Sequence, residues 1–169
     1  MKRLFFALWP SDKTRKQIDS FNRSISSTHL KKVKADNLHV TLVFLGNVDF
    51  ESELMLRQSV SDIKVDPFAL YFDQLAFWSK PRILCLLTQH YDKQLLMLFN
   101  QLKSKVEQCG IKTEERPYKP HITVARKATR LTDTKAFSIE WSAQSFCLVE
   151  SCSTEDGVRY HIIQRWPFN

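Results

Sequence analysis

Apolar and polar positions along this chain follow two periods, and together they predict short strands alternating with three helices. Leu4-Phe5-Phe6-Ala7-Leu8 is an unbroken apolar run and predicts a buried strand over 3–8. Pro10 stops it. Ser11 is placed to cap a helix in which Ile18, Phe21 and Ile25 recur at helical spacing among Lys13, Arg15, Lys16 and Arg23. A basic link, Lys31-Lys32-Val33-Lys34, leads into a strand over 38–45 that Gly46 and Asn47 close, and Leu56, Val60 and Ile63 mark a second helix. Pro67 opens a strand region over 68–78; the turn Ser79-Lys80-Pro81-Arg82 reverses it, and Ile83-Leu84-Cys85-Leu86-Leu87 returns antiparallel. Tyr91, Leu95, Leu98, Phe99, Leu102 and Val106 trace the longest amphipathic helix, with Gly110 as its stop. Pro117 and Pro120 keep the approach to the next strand, around 121–124, out of helix. Further strands are expected over 137–141, 145–151 and 158–165, the last two joined at Glu155-Asp156-Gly157. The order β-α-β-α-β-β-α-β-β-β-β reads as α+β.

Composition narrows the class. A chain of 169 residues fits one domain, 1–169, and a 43% hydrophobic content with 12 Phe and 4 Trp is enough for a core. Gly is scarce at 3, and neither G-x-G-x-x-G nor G-x-x-x-x-G-K-[ST] occurs, so dinucleotide and P-loop readings drop out. The apolar runs are too short to span a bilayer. The run after Met1-Lys2-Arg3 ends at Trp9-Pro10-Ser11-Asp12 without a small-residue cleavage site, so a cytoplasmic location without a membrane partner is expected. A formal charge of +7, from 25 Lys+Arg against 18 Asp+Glu, favours polyanionic partners, nucleic acid first. The four cysteines, Cys85, Cys109, Cys147 and Cys152, form no C-x-x-C and read as free thiols.

One pattern occurs twice, once in each half: Leu38-His39-Val40-Thr41-Leu42 and Pro120-His121-Ile122-Thr123-Val124. On a strand, successive side chains alternate between faces. His39 and Thr41 therefore share one face and His121 and Thr123 another, while the aliphatic residues between them enter a core. The implied architecture is two pseudo-symmetric lobes around a groove where the two motif strands face each other. Histidine titrates near neutrality, so one ring can act as general base while the other acts as general acid. Threonine hydroxyls on the same face suit phosphate oxygens. No nucleophile backed by a base is visible: G-x-S-x-G is missing, and no Cys adjoins a motif His. The combination fits hydrolysis of a phosphodiester by activated water, without metal or other cofactor. A zinc site would want three or four ligands, often spaced H-x-x-x-H; that spacing does not occur, and His29, His90 and His161 belong to no matching motif.

Those two motifs with their flanks, Asn37 through Gly46 and Pro120 through Arg126, resemble the two-histidine (2H) phosphoesterases. Phe44-Leu45-Gly46 and Ala125-Arg126 favour the branch of RNA 2′,3′-cyclic phosphodiesterases and 2′-5′ RNA ligases, and the resemblance runs from Arg3-Leu4-Phe5-Phe6-Ala7-Leu8 to Trp166-Pro167. It implies a bilobal α+β fold with antiparallel sheets lining a central cleft and helices outside. It implies hydrolysis of a terminal 2′,3′-cyclic phosphate on RNA to a 2′-phosphomonoester, and for some members the joining of tRNA halves through a 2′-5′ link. A monomer is expected. By position, His121 would be the base that activates water and His39 the acid that protonates the leaving 3′ oxygen. The two histidines are interchangeable by motif alone. Thr41, Thr123 and Arg126 would bind phosphate oxygens. Strict alternation sends Arg126 away from His121, so it reaches the groove only if the strand ends or bulges near Ala125; Lys127 is the in-phase alternative. Trp9 and Tyr118 are positional candidates for stacking a nucleobase, and the Lys31-Lys32-Val33-Lys34 cluster with Arg116 and Lys119 for tracking an RNA backbone. Two other substrates suit the same catalytic pair, a 2′-5′ oligonucleotide and a small nucleotide cyclic phosphate. The non-enzymatic alternative is an RNA-binding module whose histidines do no chemistry.

Overall fold

The unbroken apolar run becomes the strand β1 (Lys2–Leu8), and its surroundings explain why no polar residue interrupts it. Leu4, Phe6 and Leu8 enter the main core, while Phe5 and Ala7 enter a smaller cluster on the opposite face with Cys147 and Val149, against which Trp9 and Tyr160 pack. Both faces of β1 are covered, which removes the polar alternation of a half-exposed strand. The structure is a computed structural model and describes residues 1–26 and 29–169.

Among the described residues, three α-helices follow their capping residues. Helix α1 (Asp12–Ser24) begins at Ser11, whose hydroxyl accepts from the Thr14 amide at 3.3 Å. Helix α2 (Phe50–Ser59) begins at Asp49, which accepts from the Ser52 amide at 2.9 Å, and stops before Val60 and Ile63, earlier than the apolar spacing suggested. Helix α3 (Lys93–Gln108) begins at Asp92, so Tyr91 lies outside it and bridges to Leu70. Gly110, at φ 78°, ends that helix in the left-handed conformation that favours glycine.

The remaining strands are β2 (Lys31–Lys32), β3 (Val40–Val48), β4 (Phe68–Phe72), β5 (Gln74–Trp78), β6 (Ile83–Leu87), β7 (His121–Arg126), β8 (Ile139–Ala143), β9 (Ser145–Thr154) and β10 (Gly157–Pro167). The expected strand over 68–78 is two strands in two sheets. β4 pairs with β8, the chain switches at Asp73, whose amide donates to the Leu87 carbonyl at 3.3 Å, and β5 pairs with β6. β8 starts two residues later than expected, because Phe137 packs on the Phe21 ring at 4.1 Å instead of entering the ladder. β2 and the short 3₁₀ turn Ala35–Asn37 were not foreseen; each is too short to carry a period.

The large sheet runs β10-β9-β1-β3-β7-β6-β5, with β2 on β7 and neighbours antiparallel. The motif strands β3 and β7 meet at its middle through a single pair, Val40↔Ile122. Four strands lie on each side of that seam, which gives the two pseudo-symmetric lobes of an α+β fold. The motif strands are thus neighbours joined at one point, and the cleft opens along the polar side of that junction. Val40 and Ile122 are fully buried in the main core. Among the described residues, no helix is long and apolar enough to cross a membrane.

Candidate active site

The first motif enters β3 from the 3₁₀ turn, which orients its histidine. His39 Nδ1 lies 2.7 Å from the Asn37 carbonyl. A carbonyl can only accept, so Nδ1 carries the proton. Nε2 is then free to accept from the Thr41 hydroxyl, 3.1 Å away. His121 repeats the device: its Nδ1 lies 2.9 Å from the Lys119 carbonyl, on the non-helical segment that carries Pro117 and Pro120. Both rings therefore keep Nε2 for chemistry. The antiparallel pair Val40↔Ile122 extends this symmetry, because continuing its register sets His39 across from Thr123 and Thr41 across from His121. All four residues line one cavity of about 450 Å³ together with Arg126 and Tyr160.

The two rings differ in their surroundings. His39 is stacked on Trp9 (centroids 5.3 Å, interplanar angle 5°), with Phe5 at 5.0 Å and the edge of Tyr160 at 5.0 Å. Burial in this enclosure pushes its pKa down to about 4, against the opposing Asn37 hydrogen bond and with help from the charges of His121 and Arg126. His121 touches Trp78 at 4.5 Å. Its pKa is lowered in the same direction by burial, opposed by the Lys119 hydrogen bond, with Arg116 adding to the lowering. Both imidazoles are thus neutral at pH 7 in the free site. An anion in the cavity favours the protonated form of each.

Arg126 reaches the cleft by the bulge its position requires. Thr123 pairs with Cys85 and Ala125 with Leu84, so two residue steps on β7 match one on β6 and Val124 is the extra residue. Val124 and Ala125 are consequently both buried, and Arg126 returns to the side of Thr123. Lys127, at φ 60°, turns outward and is exposed.

The aromatic candidates are already engaged. Tyr118 stacks on Phe99 (4.3 Å, 8°) and donates its hydroxyl to the Thr41 carbonyl at 3.2 Å; burial pushes that hydroxyl's pKa up. Trp9 has one face on His39. Aromatic surface not foreseen from the sequence lies in a second cavity of about 710 Å³, which shares Thr41, Trp78, Arg116 and His121 with the first. There Phe44, 37% exposed on β3, carries the Arg3 guanidinium over its ring at 5.1 Å. Asn37, Trp78 and Tyr160 also line the first cavity and are not among the site residues expected from the sequence. Only Asn37, two residues before a motif histidine, left a local signal. Among the described residues, no three or more His, Cys, Asp or Glu side chains are grouped to hold a metal ion.

Comparison with known proteins gives the family and the fold. The family model described as the 2′-5′ RNA ligase superfamily matches residues 10–151. The RNA 2′,3′-cyclic phosphodiesterase of Escherichia coli (strain K12) is 32% identical, over 98% of this chain and 96% of its own. The protein of the same name from Methanocaldococcus jannaschii is 27% identical, over 97% and 99%. The crystal structure of E. coli LigT complexed with 3′-AMP superposes with a TM-score of 0.92 at 30% identity, covering 99% of this chain and 98% of that one.

Proposed function

The chain belongs to the 2′-5′ RNA ligase superfamily, and from that premise we propose that it is an RNA 2′,3′-cyclic phosphodiesterase whose catalytic pair is His39 and His121. The observation that carries the assignment is the matched pair of imidazoles in one cavity, each with Nδ1–H committed to a carbonyl two residues back and Nε2 available. In the reaction, water attacks the cyclic phosphorus while His121 Nε2 takes its proton. The bond from phosphorus to O3′ breaks, and His39 Nε2–H gives its proton to that oxygen, leaving a 2′-phosphomonoester. His39 acquires its proton once the phosphate occupies the cavity, since that negative charge offsets the enclosure that keeps the free ring neutral. Thr41 and Thr123 donate hydroxyl hydrogen bonds to the phosphate oxygens, and Arg126 supplies a charged donor.

The two contiguous cavities give the rest of the RNA end a place. The smaller one, beside Lys31, Lys32 and Lys34, suits phosphate; the larger, with Trp78 and Phe44, suits the base and sugar. Trp9 and Tyr118 each have one ring face taken by a protein ring, so their part in stacking is confined to the other. Both motifs and both cavities come from one chain, which supports a monomer as the working unit. With a 5′-hydroxyl in place of water, the same displacement would form a 2′-5′ link: His121 takes the hydroxyl proton, the bond from phosphorus to O3′ breaks and His39 protonates O3′, as the joining of tRNA halves requires.

The test is turnover of a short RNA ending in a 2′,3′-cyclic phosphate, with EDTA present, by wild type, His39→Ala and His121→Ala. The expected result is a 2′-phosphate from wild type and a rate lower by about 10²- to 10⁴-fold in each variant. Turnover that survives either substitution would overturn the assignment. Faster turnover of a small cyclic nucleotide than of the RNA would move the substrate to that smaller class.

A further inference from the structure

Asn37 touches the site twice. Its backbone carbonyl accepts the His39 Nδ1 proton at 2.7 Å, and its side-chain amide donates to the carbonyl of Val158 at 2.8 Å. Val158 lies at the start of β10, the edge strand of the large sheet, which β9 holds along one side only. None of residues 157–162 is buried, so this end of the hairpin has little packing to fix it. Two residues beyond Val158, Tyr160 stands edge-on to His39 at 5.0 Å and to Phe5 at 5.2 Å. Of the three rings described against His39, Phe5, Trp9 and Tyr160, Tyr160 is the one that comes from this lightly held edge.

We propose that Asn37 is a positioning residue for the reaction: its carbonyl fixes the His39 tautomer, and its amide latches the β9–β10 hairpin so that Tyr160 closes over the ring. The proposal rests on the acid–base reading of His39 given above. Without the latch the hairpin end loosens, water reaches the imidazole, and the charged form becomes less unfavourable, so the ring titrates at higher pH. Several titratable or charged groups line the cavity with His39. These are His121 and Arg126 on β7, Arg116 ahead of it, Lys31 and Lys32 on β2, Lys34 before the turn, and Asp156 in the hairpin turn. Asn37 carries no charge, so replacing it with alanine leaves that field in place and isolates the loss of the amide.

The experiment is an NMR titration of the His39 ring in wild type and Asn37→Ala without substrate, paired with the pH dependence of kcat/KM. Asn22→Ala is the control, because Asn22 is buried and also donates its side-chain amide to a backbone carbonyl, that of Val33 at 3.3 Å, which does not belong to the β9–β10 hairpin. Asn37→Ala is expected to raise the His39 titration by about one pH unit and to lower kcat more than it changes KM. Tyr160→Ala should shift the titration the same way, and the double variant should add little to either. Asn22→Ala should lower Tm without moving the titration. The proposal is overturned if Asn37→Ala only lowers Tm, or if its effect and that of Tyr160→Ala add in full. Should Asn37→Ala not fold, an unchanged titration in Tyr160→Ala overturns it alone. A wild type whose His39 titrates as expected but which turns over no cyclic phosphate would instead sink the catalytic reading and leave the latch standing.

Discussion

His39 and His121 make the same hydrogen bond in different surroundings, and that difference has a measurable sign. Burial lowers both pKa values from the ordinary 6.5, His39 to about 4. A reaction needing one protonated and one neutral imidazole is fastest between the two values. The profile of kcat/KM, which reports the free enzyme, should therefore be a bell with both limbs below pH 6.5. The profile of kcat should lie at higher pH, because bound phosphate raises both groups. A kcat/KM profile that keeps climbing above pH 7 would contradict this reading. The free-site electrostatics alone would leave a single shared proton on His121, the less strongly lowered ring, so the proposal of His39 as the acid rests on family resemblance and not on burial. An ester with a nitrophenyl-type leaving group separates the roles, since such a group departs without a proton. His39→Ala should recover most of its lost rate on that substrate, and His121→Ala should not.

At the scale of elements, β7 shows what the sequence could and could not specify. Alternation placed His121 and Thr123 together, and Ile122 and Val124 in the core, because a strand of period two leaves a readable pattern. It could not place Arg126, whose side depends on the extra residue at Val124, and that bulge exists only through pairing with β6. The same reason hid Tyr160, Trp78 and the Asn37 amide: each meets the site through tertiary neighbours distant in sequence. The helix caps were legible as single residues, but α2 was misplaced because its apolar spacing was read without Asp49. Arg126→Ala should reduce kcat/KM on the order of 10- to 100-fold, the loss of a charge-assisted contact to phosphate. Lys127→Gly should stay within about twofold of wild type and tolerate its φ of 60° better than lysine does. Equal losses at the two positions would mean that the bulge does not decide which cation serves the cavity.

At the scale of the whole molecule, catalysis depends on two half-sheets that share only one backbone pair. His39 and Thr41 belong to one side of the seam and His121, Thr123 and Arg126 to the other, so their separation is set by how Val40 and Ile122 pack in the core beneath. Backbone pairing contributes little there; apolar packing holds the lobes in register. A cavity at the seam should then damage geometry as well as stability, whereas an equal cavity elsewhere should damage stability alone. Ile122→Ala at the seam and Leu70→Ala on β4, in the separate two-stranded sheet, make the comparison, since both side chains are fully buried. Each should lose roughly 2–5 kcal/mol in urea unfolding, the usual range for such truncations. Assayed where both variants remain folded, Leu70→Ala should keep near-wild-type kcat. Ile122→Ala should lose on the order of 10²-fold, because small misplacements of acid against base are expensive in rate. Equal kcat in the two variants would mean that the elements flanking the cleft, and not the seam, hold the two histidines in place.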